Sequence, residues 1–309
     1  MTPEPIVQIT DLTKIYKTRR ALDELTLRVE PGSRCVVLGH NGAGKSTLLE
    51  IIATLRVPTS GSVRVGGFDT VTQARDAGRL IGLAPQSNAL DPLATPADVL
   101  DFQAVALGLG RRQRTQRTRD LLDLFDLGEH RASRVATLSG GTRRKLDLAV
   151  ALVAEPRLVI LDEPTTGLDP LARLDFWAEL TRLNQGGTTL LISTQDLHEA
   201  DVLATDIAVL REGRLVAQGT PTSLKQRVGT RTLTLELTSE ATAKALVAHS
   251  RIGFQADEEH GDRVRLSISE DPAALRDALD EIRDRTGDLT GLHLREPSLD
   301  DVFVALAAR

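Results

Sequence analysis

The most specific pattern in this 309-residue chain is a stretch of nine residues: Gly39-His40-Asn41-Gly42-Ala43-Gly44-Lys45-Ser46-Thr47. It has the spacing G-x-x-x-x-G-K-S, with an apolar run before it and a helix-forming run, residues 46–54, after it. Strand, glycine loop and helix in this order bind phosphate, because backbone N–H groups and the helix N-terminus face the anion. The pattern predicts that Lys45 reaches the β- and γ-phosphates and that the Ser46 hydroxyl binds Mg²⁺.

An acidic pair follows a second apolar run, residues 158–161. Asp162 and Glu163 stand where a buried parallel strand is predicted to end, and ligands of such sheets bind at that edge. We therefore expect Asp162 to hold the Mg²⁺ hydration shell. Glu163 is expected to orient the attacking water or to accept its proton.

The bulk composition indicates a globular protein of a reducing compartment. The net charge of −5 and the pI near 5.8 argue against a general nucleic-acid binder, so no nucleic-acid partner is expected. The arginine-rich run at 111–119 lacks interleaved aromatic residues and is interpreted as a solvated helix face. The sole cysteine, Cys35, is interpreted as a small buried hydrophobe. Neither a signal peptide nor a membrane-spanning run is predicted.

The order of predicted elements divides the chain into two domains. Residues 1–226 carry the glycine loop and the acidic pair, with a helical subdomain at about 87–137. A change of composition at 226–230 marks the boundary to residues 227–309, which are predicted to alternate strands with helices and to end in a helix capped by Ser298. This pattern predicts an α/β P-loop NTPase fold followed by a small α+β domain of the ferredoxin-like type.

Four further motifs give the chain a specific family resemblance. They are Leu138-Ser139-Gly140-Gly141, Gln86, Gly167-Leu168-Asp169 and Tyr16. With the glycine loop and the acidic pair, they make residues 6–224 similar to the nucleotide-binding subunit of an ABC transporter. The resemblance implies a cassette with a mixed-sheet core, an antiparallel β subdomain and a helical subdomain, and it implies ATP and Mg²⁺ as cofactors.

The resemblance also implies roles for these motifs. Tyr16 would stack on adenine, and Gln86 would join the Mg²⁺ site and report nucleotide status to a membrane partner. Ser139, Gly140 and Gly141 open a helix, so they offer N–H donors to an anion. In the family this anion is the γ-phosphate held by a second subunit, so two ATP molecules, with Asp169 near them, are enclosed between two cassettes.

Two positions depart from the family pattern. Thr142 stands where most relatives carry a longer side chain, and Gln195 stands where most carry a histidine. An amide hydrogen-bonds a phosphate but does not titrate near neutral pH. Gln195 is therefore expected to contact the γ-phosphate, and Glu163 is expected to serve as the base, so that hydrolysis is retained.

Three features narrow the resemblance: Thr194-Gln195, Arg143-Arg144-Lys145, and Glu296-Pro297-Ser298-Leu299-Asp300-Asp301-Val302-Phe303. They resemble daunorubicin-resistance-type exporters of the ABC-2 class. The implied function is ATP-driven efflux of drugs or other amphipathic compounds through separate membrane subunits. The implied partners are ABC-2-type permease subunits and a second copy or a paralogous ATPase, at the cytoplasmic face of the membrane. Residues 227–309 would be an accessory and dimerisation domain.

Three alternatives stay open at this point. The chain could energise export of a lipid or polysaccharide, since a cassette does not touch its cargo. It could be a soluble ABC protein acting on ribosomes or DNA, although it has one phosphate loop, one signature and no sustained heptad run. It could also be a regulatory nucleotide binder with negligible turnover, which Gln195 allows and Glu163 opposes.

Overall fold

The structure of the chain is a computed structural model that describes residues 4–86, 90–227, 231–250, 252–257, 260–268, 272–283 and 289–307. The chain divides into two compact units, Met1–Pro221 and Thr222–Arg309. Residues 87–89, where the helical subdomain is predicted to begin, and residues 228–230, within the predicted boundary, lie outside the described part.

The centre of the first unit is a six-stranded mixed sheet. Its strands are β3 (Arg34–Leu38), β6 (Ile81–Ala84), β7 (Leu158–Asp162), β8 (Thr189–Thr194), β9 (Asp206–Arg211) and β10 (Arg214–Gly219). The order is β10-β9-β3-β8-β7-β6, with all neighbours parallel except β10 and β9. The central strands are continuous apolar runs, as expected for parallel strands covered on both faces. The carboxyl ends of β3, β7 and β8 therefore meet at one edge.

An antiparallel sheet packs against the same core. It consists of β1 (Val7–Tyr16), β2 (Arg19–Val29), β4 (Ser60–Val65) and β5 (Phe68–Asp69), in the order β2-β1-β4-β5. Ile9 pairs with Leu27 on one side and Val63 on the other, and all three are buried in one cluster with Cys35 and Leu158. The expected antiparallel subdomain and the buried cysteine are therefore confirmed.

Eight helices are described in this unit or at its end. They are α1 (Lys45–Ile52), α2 (Ala74–Gly78), α3 (Pro96–Ala106), α4 (Arg111–Leu124), α5 (Gly140–Ala151), α6 (Pro170–Gln185), α7 (Leu197–Leu203) and α8 (Pro221–Gln226). Side-chain caps fix where two of these helices begin: Thr95 and Asp98 form a capping box at α3, and Asp196 caps α7. In the described residues no helix has the length and apolar character needed to cross a bilayer.

The arginine-rich helix α4 is largely a solvated face, as predicted, with two exceptions. Arg114 Nε lies 2.9 Å from Asp101 Oδ1 on α3. Arg117 donates from Nε to the carbonyl of Val153 at 3.3 Å and pairs with Glu155 at 3.2 Å. These two arginines join α4 to α3 and to the end of α5, so their role is structural.

The second unit is a four-stranded antiparallel sheet with helices. Its elements are β11 (Arg231–Leu237), α9 (Glu240–His249), β12 (Gln255–Ala256), β13 (Arg263–Ile268), α10 (Pro272–Arg283), β14 (Leu289–Arg295) and α11 (Leu299–Ala307). The sheet order β12-β13-β11-β14 and the βαββαβ succession are those of a ferredoxin-like layer. Ser298 caps α11 as predicted, accepting from the Asp301 N–H at 3.2 Å. The two-residue strand β12 escapes the sequence pattern because it is too short to alternate.

Candidate functional site

The glycine loop joins the end of β3 to the start of α1 by a backbone that only glycine accommodates. Gly42 has φ +82 and Gly44 has φ +108, both in the left-handed region. A Cβ atom at Gly44 would lie 2.6 Å from the Ala21 carbonyl oxygen, and one at Gly39 would lie 2.6 Å from that of Leu210. The fold therefore presents the bare backbone of this loop ahead of the N-terminus of α1.

Lys45 lies beneath this loop with its side chain almost fully buried. Only 5% of the residue is exposed, and Nζ donates to the carbonyl of Gly39 at 2.8 Å and to that of His40 at 3.3 Å. The same ammonium lies 3.3 Å from Glu163 Oε1. A buried ammonium of this kind is fixed in place and needs anionic partners.

Glu163 stands one residue past the end of β7 in a strained conformation. Its φ is +45, which is rare for a residue with a Cβ. Its N–H donates to the Ser193 carbonyl at 3.1 Å and lies 3.0 Å from Ser193 Oγ. Its carboxylate accepts from Gln86 Nε2 at 2.9 Å and from Thr166 Oγ1 at 3.4 Å. The strain is thus maintained by contacts on both the backbone and the side chain.

Ser193 orients the acidic pair, and sequence reasoning missed it. It is fully buried on β8, and its hydroxyl donates to Asp162 Oδ1 while accepting from the Glu163 N–H. The available signal was a polar residue directly after the apolar run Leu190-Leu191-Ile192.

These groups open into one groove of about 620 Å³. It brings together nine predicted residues, Tyr16, Asn41, Gly42, Gly44, Lys45, Ser46, Thr47, Gln86 and Glu163. Arg19 and Ala21 also line it and were not predicted; Arg19 Nη2 donates to the Gly42 carbonyl at 3.3 Å. We call this space the phosphate-loop groove.

Tyr16 forms one wall of the phosphate-loop groove. The ring is half-buried, with Lys14 Nζ at 5.1 Å and Arg56 Cζ at 5.6 Å from its centroid. Cations near a tyrosine face are attracted by the ring quadrupole. The ring is therefore held in place at the β1 end of the groove, and an aromatic face in such a place suits a planar base.

The donor set suits a magnesium ion that is shared with a nucleotide. The described residues contain no group of three or more His, Cys, Asp or Glu side chains that could hold a metal on their own. Ser46, Gln86 and Asp162 offer oxygen donors, and Mg²⁺ commonly takes one or two carboxylates together with phosphate oxygens and water. These three protein oxygen donors are too few to fill the shell of Mg²⁺, so they fit an ion that is also bound by the phosphates of a nucleotide.

The remaining predicted residues do not line the phosphate-loop groove in the described part of the chain. Ser139 caps α5, accepting from the Thr142 N–H at 3.1 Å, and lines with Gly141 a separate groove of about 170 Å³. Asp169 caps α6, accepting from Leu171 and Ala172 N–H groups at 3.0 Å. The glycine loop and the Ser139 turn thus line two separate grooves.

Gln195 lies exposed directly after β8. The Gly39 N–H donates to the carbonyl of Thr194, the preceding residue, at 3.2 Å. The backbone at Gln195 therefore lies beside the phosphate loop. His198, interpreted from the sequence as an exposed helix residue, is exposed on α7, with its ring 5.5 Å from that of Trp177.

A third groove of about 600 Å³, the α3 groove, is lined by Pro85, the residue before Gln86. Its lining is mostly apolar and consists of Leu83, Pro85, Leu90, Asp91, Ala94, Asp98, Val99, Phe102, Gln103, Asp147 and Val150. Phe102 is 73% exposed at this groove. Burial raises the pKa of Asp147 to about 6, and the neighbouring Arg144 opposes that shift.

The sequence matches two described families. Residues 22–166 match the ABC transporter family, and residues 219–307 match the family described as ATP-binding protein DrrA1-3-like, C-terminal domain. The chain is 37% identical over 303 residues to the daunorubicin resistance ATP-binding protein DrrA2 of Streptomyces coeruleorubidus, covering 97% of this chain and 94% of that protein. It is 33% identical to the Nod factor export ATP-binding protein I of Rhizobium etli, covering 98% and 93%.

A solved structure shares the fold of the first part of the chain. It is an ATP-binding cassette in a dimeric post-hydrolysis state, bound to ADP and Pi. The TM-score is 0.63 at 26% identity, over 69% of this chain and 98% of the other.

Proposed function

Because the chain belongs to the ABC transporter family of ATP-binding proteins, we propose that it powers an ABC-2-type exporter of drugs or other amphipathic compounds. The chain is an ATPase, and ATP-binding domains of this family dimerise and work with membrane permeases. We further propose that the chain works at the cytoplasmic face of the membrane. Homologous proteins named for daunorubicin resistance and for Nod factor export support export as the direction.

The observation that carries the proposal is the division of the site into two surfaces. The phosphate-loop groove contains Lys45, Ser46 and Glu163 but not Ser139 or Gly141, which line another groove of the same unit. In our account, the Ser139 turn of a second copy closes over the γ-phosphate bound here. ATP then favours the closed dimer because it contacts both copies, and hydrolysis removes that preference.

We assign tasks to residues that line the phosphate-loop groove and to two at the ends of the neighbouring strands β7 and β8, Asp162 and Gln195. Lys45 and the N–H groups of the loop neutralise the β- and γ-phosphates, which positions them for in-line attack. Ser46, Gln86 and Asp162 would hold Mg²⁺, which would supply charge neutralisation at the phosphate oxygens. Glu163 accepts the proton of the attacking water, and Gln195 donates its amide N–H to the γ-phosphate. Tyr16 stacks on the base.

The permease is proposed to dock at the α3 groove. Phe102 lines this groove and is 73% exposed. Two other apolar residues of the same segment are also exposed, Leu93 before α3 (70%) and Val105 within it (48%). Pro85 lines this groove next to Gln86, whose amide reaches Glu163. An apolar segment of a permease bound in this groove would contact Pro85 and could shift the neighbouring Gln86, which contacts Glu163.

Replacing Phe102 by aspartate tests this docking. We expect the variant to retain at least tenfold less permease than the unaltered chain when the complex is purified from membranes, because a charge would replace the apolar anchor at the centre of the contact. Turnover of the free subunit should not change, since Phe102 lies outside the phosphate-loop groove. Val71→Asp, at another exposed apolar site, is the matched control and should retain permease.

Two results would count against the proposal. Equal retention of permease by the Phe102→Asp variant would place the docking site elsewhere. Ribosomes or DNA as the main co-purifying partner, with no polytopic membrane protein, would overturn the export function itself. Stimulation of ATP turnover in the purified complex by candidate amphipathic compounds, lipids or oligosaccharides then identifies the class of cargo.

A further inference from the structure

Arg144 is a buried arginine that donates with every N–H it has. It lies on α5, five residues after Ser139, and is 7% exposed. A guanidinium has five N–H donors in a fixed plane, and here each one has an acceptor. The acceptors are the carbonyls of Pro164 (2.8 Å from Nε), Pro85 (3.0 Å from Nη1), Glu163 (3.1 Å from Nη2) and Gln86 (3.4 Å from Nη2), and Asp147 Oδ2 (3.4 Å from Nη1).

Four of these acceptors belong to two loops that are distant in sequence. Pro85 and Gln86 follow β6, whereas Glu163 and Pro164 follow β7. Arg144 therefore holds two successive peptide carbonyls in each loop. The side chains of Gln86 and Glu163 also contact each other, at 2.9 Å, in the phosphate-loop groove. These two residues are therefore linked twice, through their side chains directly and through their backbone carbonyls by Arg144.

The backbone of Glu163 needs this support. At φ +45 it is in a strained conformation that residues with a Cβ atom rarely adopt. Ser193 binds its N–H, and Arg144 binds its carbonyl. Removal of either contact frees the peptide to relax, and the carboxylate would move with it.

We propose that Arg144 is a positioning residue for ATP hydrolysis, which sets the Gln86 and Glu163 side chains in register through their backbone carbonyls. The inference rests on the role proposed above for Glu163. Arg144 does not line the phosphate-loop groove, so it acts through Glu163 and Gln86 and not on ATP. A lysine keeps the charge but has three donors on one nitrogen, so it cannot make the five contacts that Arg144 makes from three nitrogens.

A merely structural role makes a different prediction. If Arg144 only neutralised Asp147 in the interior, its loss would lower the free energy of unfolding and leave the alignment of Glu163 intact. Its effect on turnover would then be independent of Glu163. Effects of residues that act as one unit are strongly non-additive, whereas independent effects add.

The test is a double-mutant cycle between Arg144→Lys and Glu163→Gln in the full-length chain. We expect Arg144→Lys to lower kcat roughly 10- to 100-fold, because a small displacement of the base suffices for such a loss. KM for ATP should stay within about twofold, since the phosphate-loop contacts are untouched. In the Glu163→Gln background, Arg144→Lys should cause no further loss in single-turnover hydrolysis.

Arg117→Lys is the matched control, because Arg117 also donates to backbone carbonyls but at the far end of α5. It should keep its kcat. Melting temperature and ATP binding report whether each variant is folded. Arg144→Gln is the second variant, with the same expectations, because a neutral amide leaves no unpaired buried cation.

The outcomes separate this inference from the proposed function. An unchanged kcat in folded Arg144→Lys and Arg144→Gln, or losses that add fully to that of Glu163→Gln, would overturn the positioning role alone. Unchanged turnover in Glu163→Gln itself would instead remove the base assignment on which the inference rests.

Discussion

Replacing Glu163 by glutamine should abolish most ATP turnover, by roughly 10²- to 10⁴-fold, the usual contribution of a general base. Glutamine has the same shape, and its amide oxygen can still accept from Gln86 Nε2, which lies 2.9 Å from the native carboxylate. It cannot accept a proton from water. It also removes the charge that faces Lys45 Nζ at 3.3 Å, so ATP binding should be preserved or strengthened. Phosphate release by the purified chain measures turnover.

The matched control is Glu179→Gln. Glu179 is also buried, but it lies on α6, is paired with Arg182 and does not line the phosphate-loop groove. Its replacement should leave turnover close to the native value. If Glu163→Gln were as active as Glu179→Gln, another group would have to serve as the base, and the exposed Gln195 cannot do so because an amide does not titrate.

Replacing Lys45 by alanine should weaken ATP binding roughly 10- to 100-fold, because a hydrogen bond to a charged group contributes about 1.5–3 kcal/mol. Turnover should fall below detection, since the phosphates lose the cation that fixes them. The loss is large because Lys45 is buried and held by Gly39 and His40, so no flexible neighbour replaces it. Titration with a fluorescent ATP analogue measures the affinity.

Lys244→Ala serves as the control for this substitution, since Lys244 is an exposed residue of α9 paired with Glu240. Its affinity for ATP should equal that of the unaltered chain. Native affinity in Lys45→Ala would mean that the glycine loop binds the phosphates without its lysine, and the phosphate-binding role of Lys45 would be wrong.

The local parts of the fold and the site could be predicted from the sequence. The glycine loop, the apolar strand before it and the helix after it are set by neighbouring residues, so a short pattern suffices. The acidic pair could be predicted equally well, because it directly follows a run of apolar residues. The predicted P-loop fold is confirmed by the order of the six-stranded sheet and by the solved cassette. The ferredoxin-like layer agrees with the order of its own four-stranded sheet.

The support of the site could not be predicted, because it joins residues that are distant in the chain. Gln86 and Glu163 are 77 residues apart, and Arg144 and Pro85 are 59 apart. Ser193 meets the acidic pair only because β7 and β8 pair in one register, Asp162 beside Ser193. Periodicity within a segment carries no information on such pairings.

One copy is proposed to hold half of each catalytic centre, and ATP to join two copies. Sedimentation of the Glu163→Gln variant with saturating ATP and Mg²⁺ measures this joining, with Ser139→Arg in the same background as the control for the second surface. We expect a species of twice 33.4 kDa with ATP, and a monomer with ADP or after Ser139→Arg. A monomer at saturating ATP, both alone and with the permease, would mean that ATP does not join two copies.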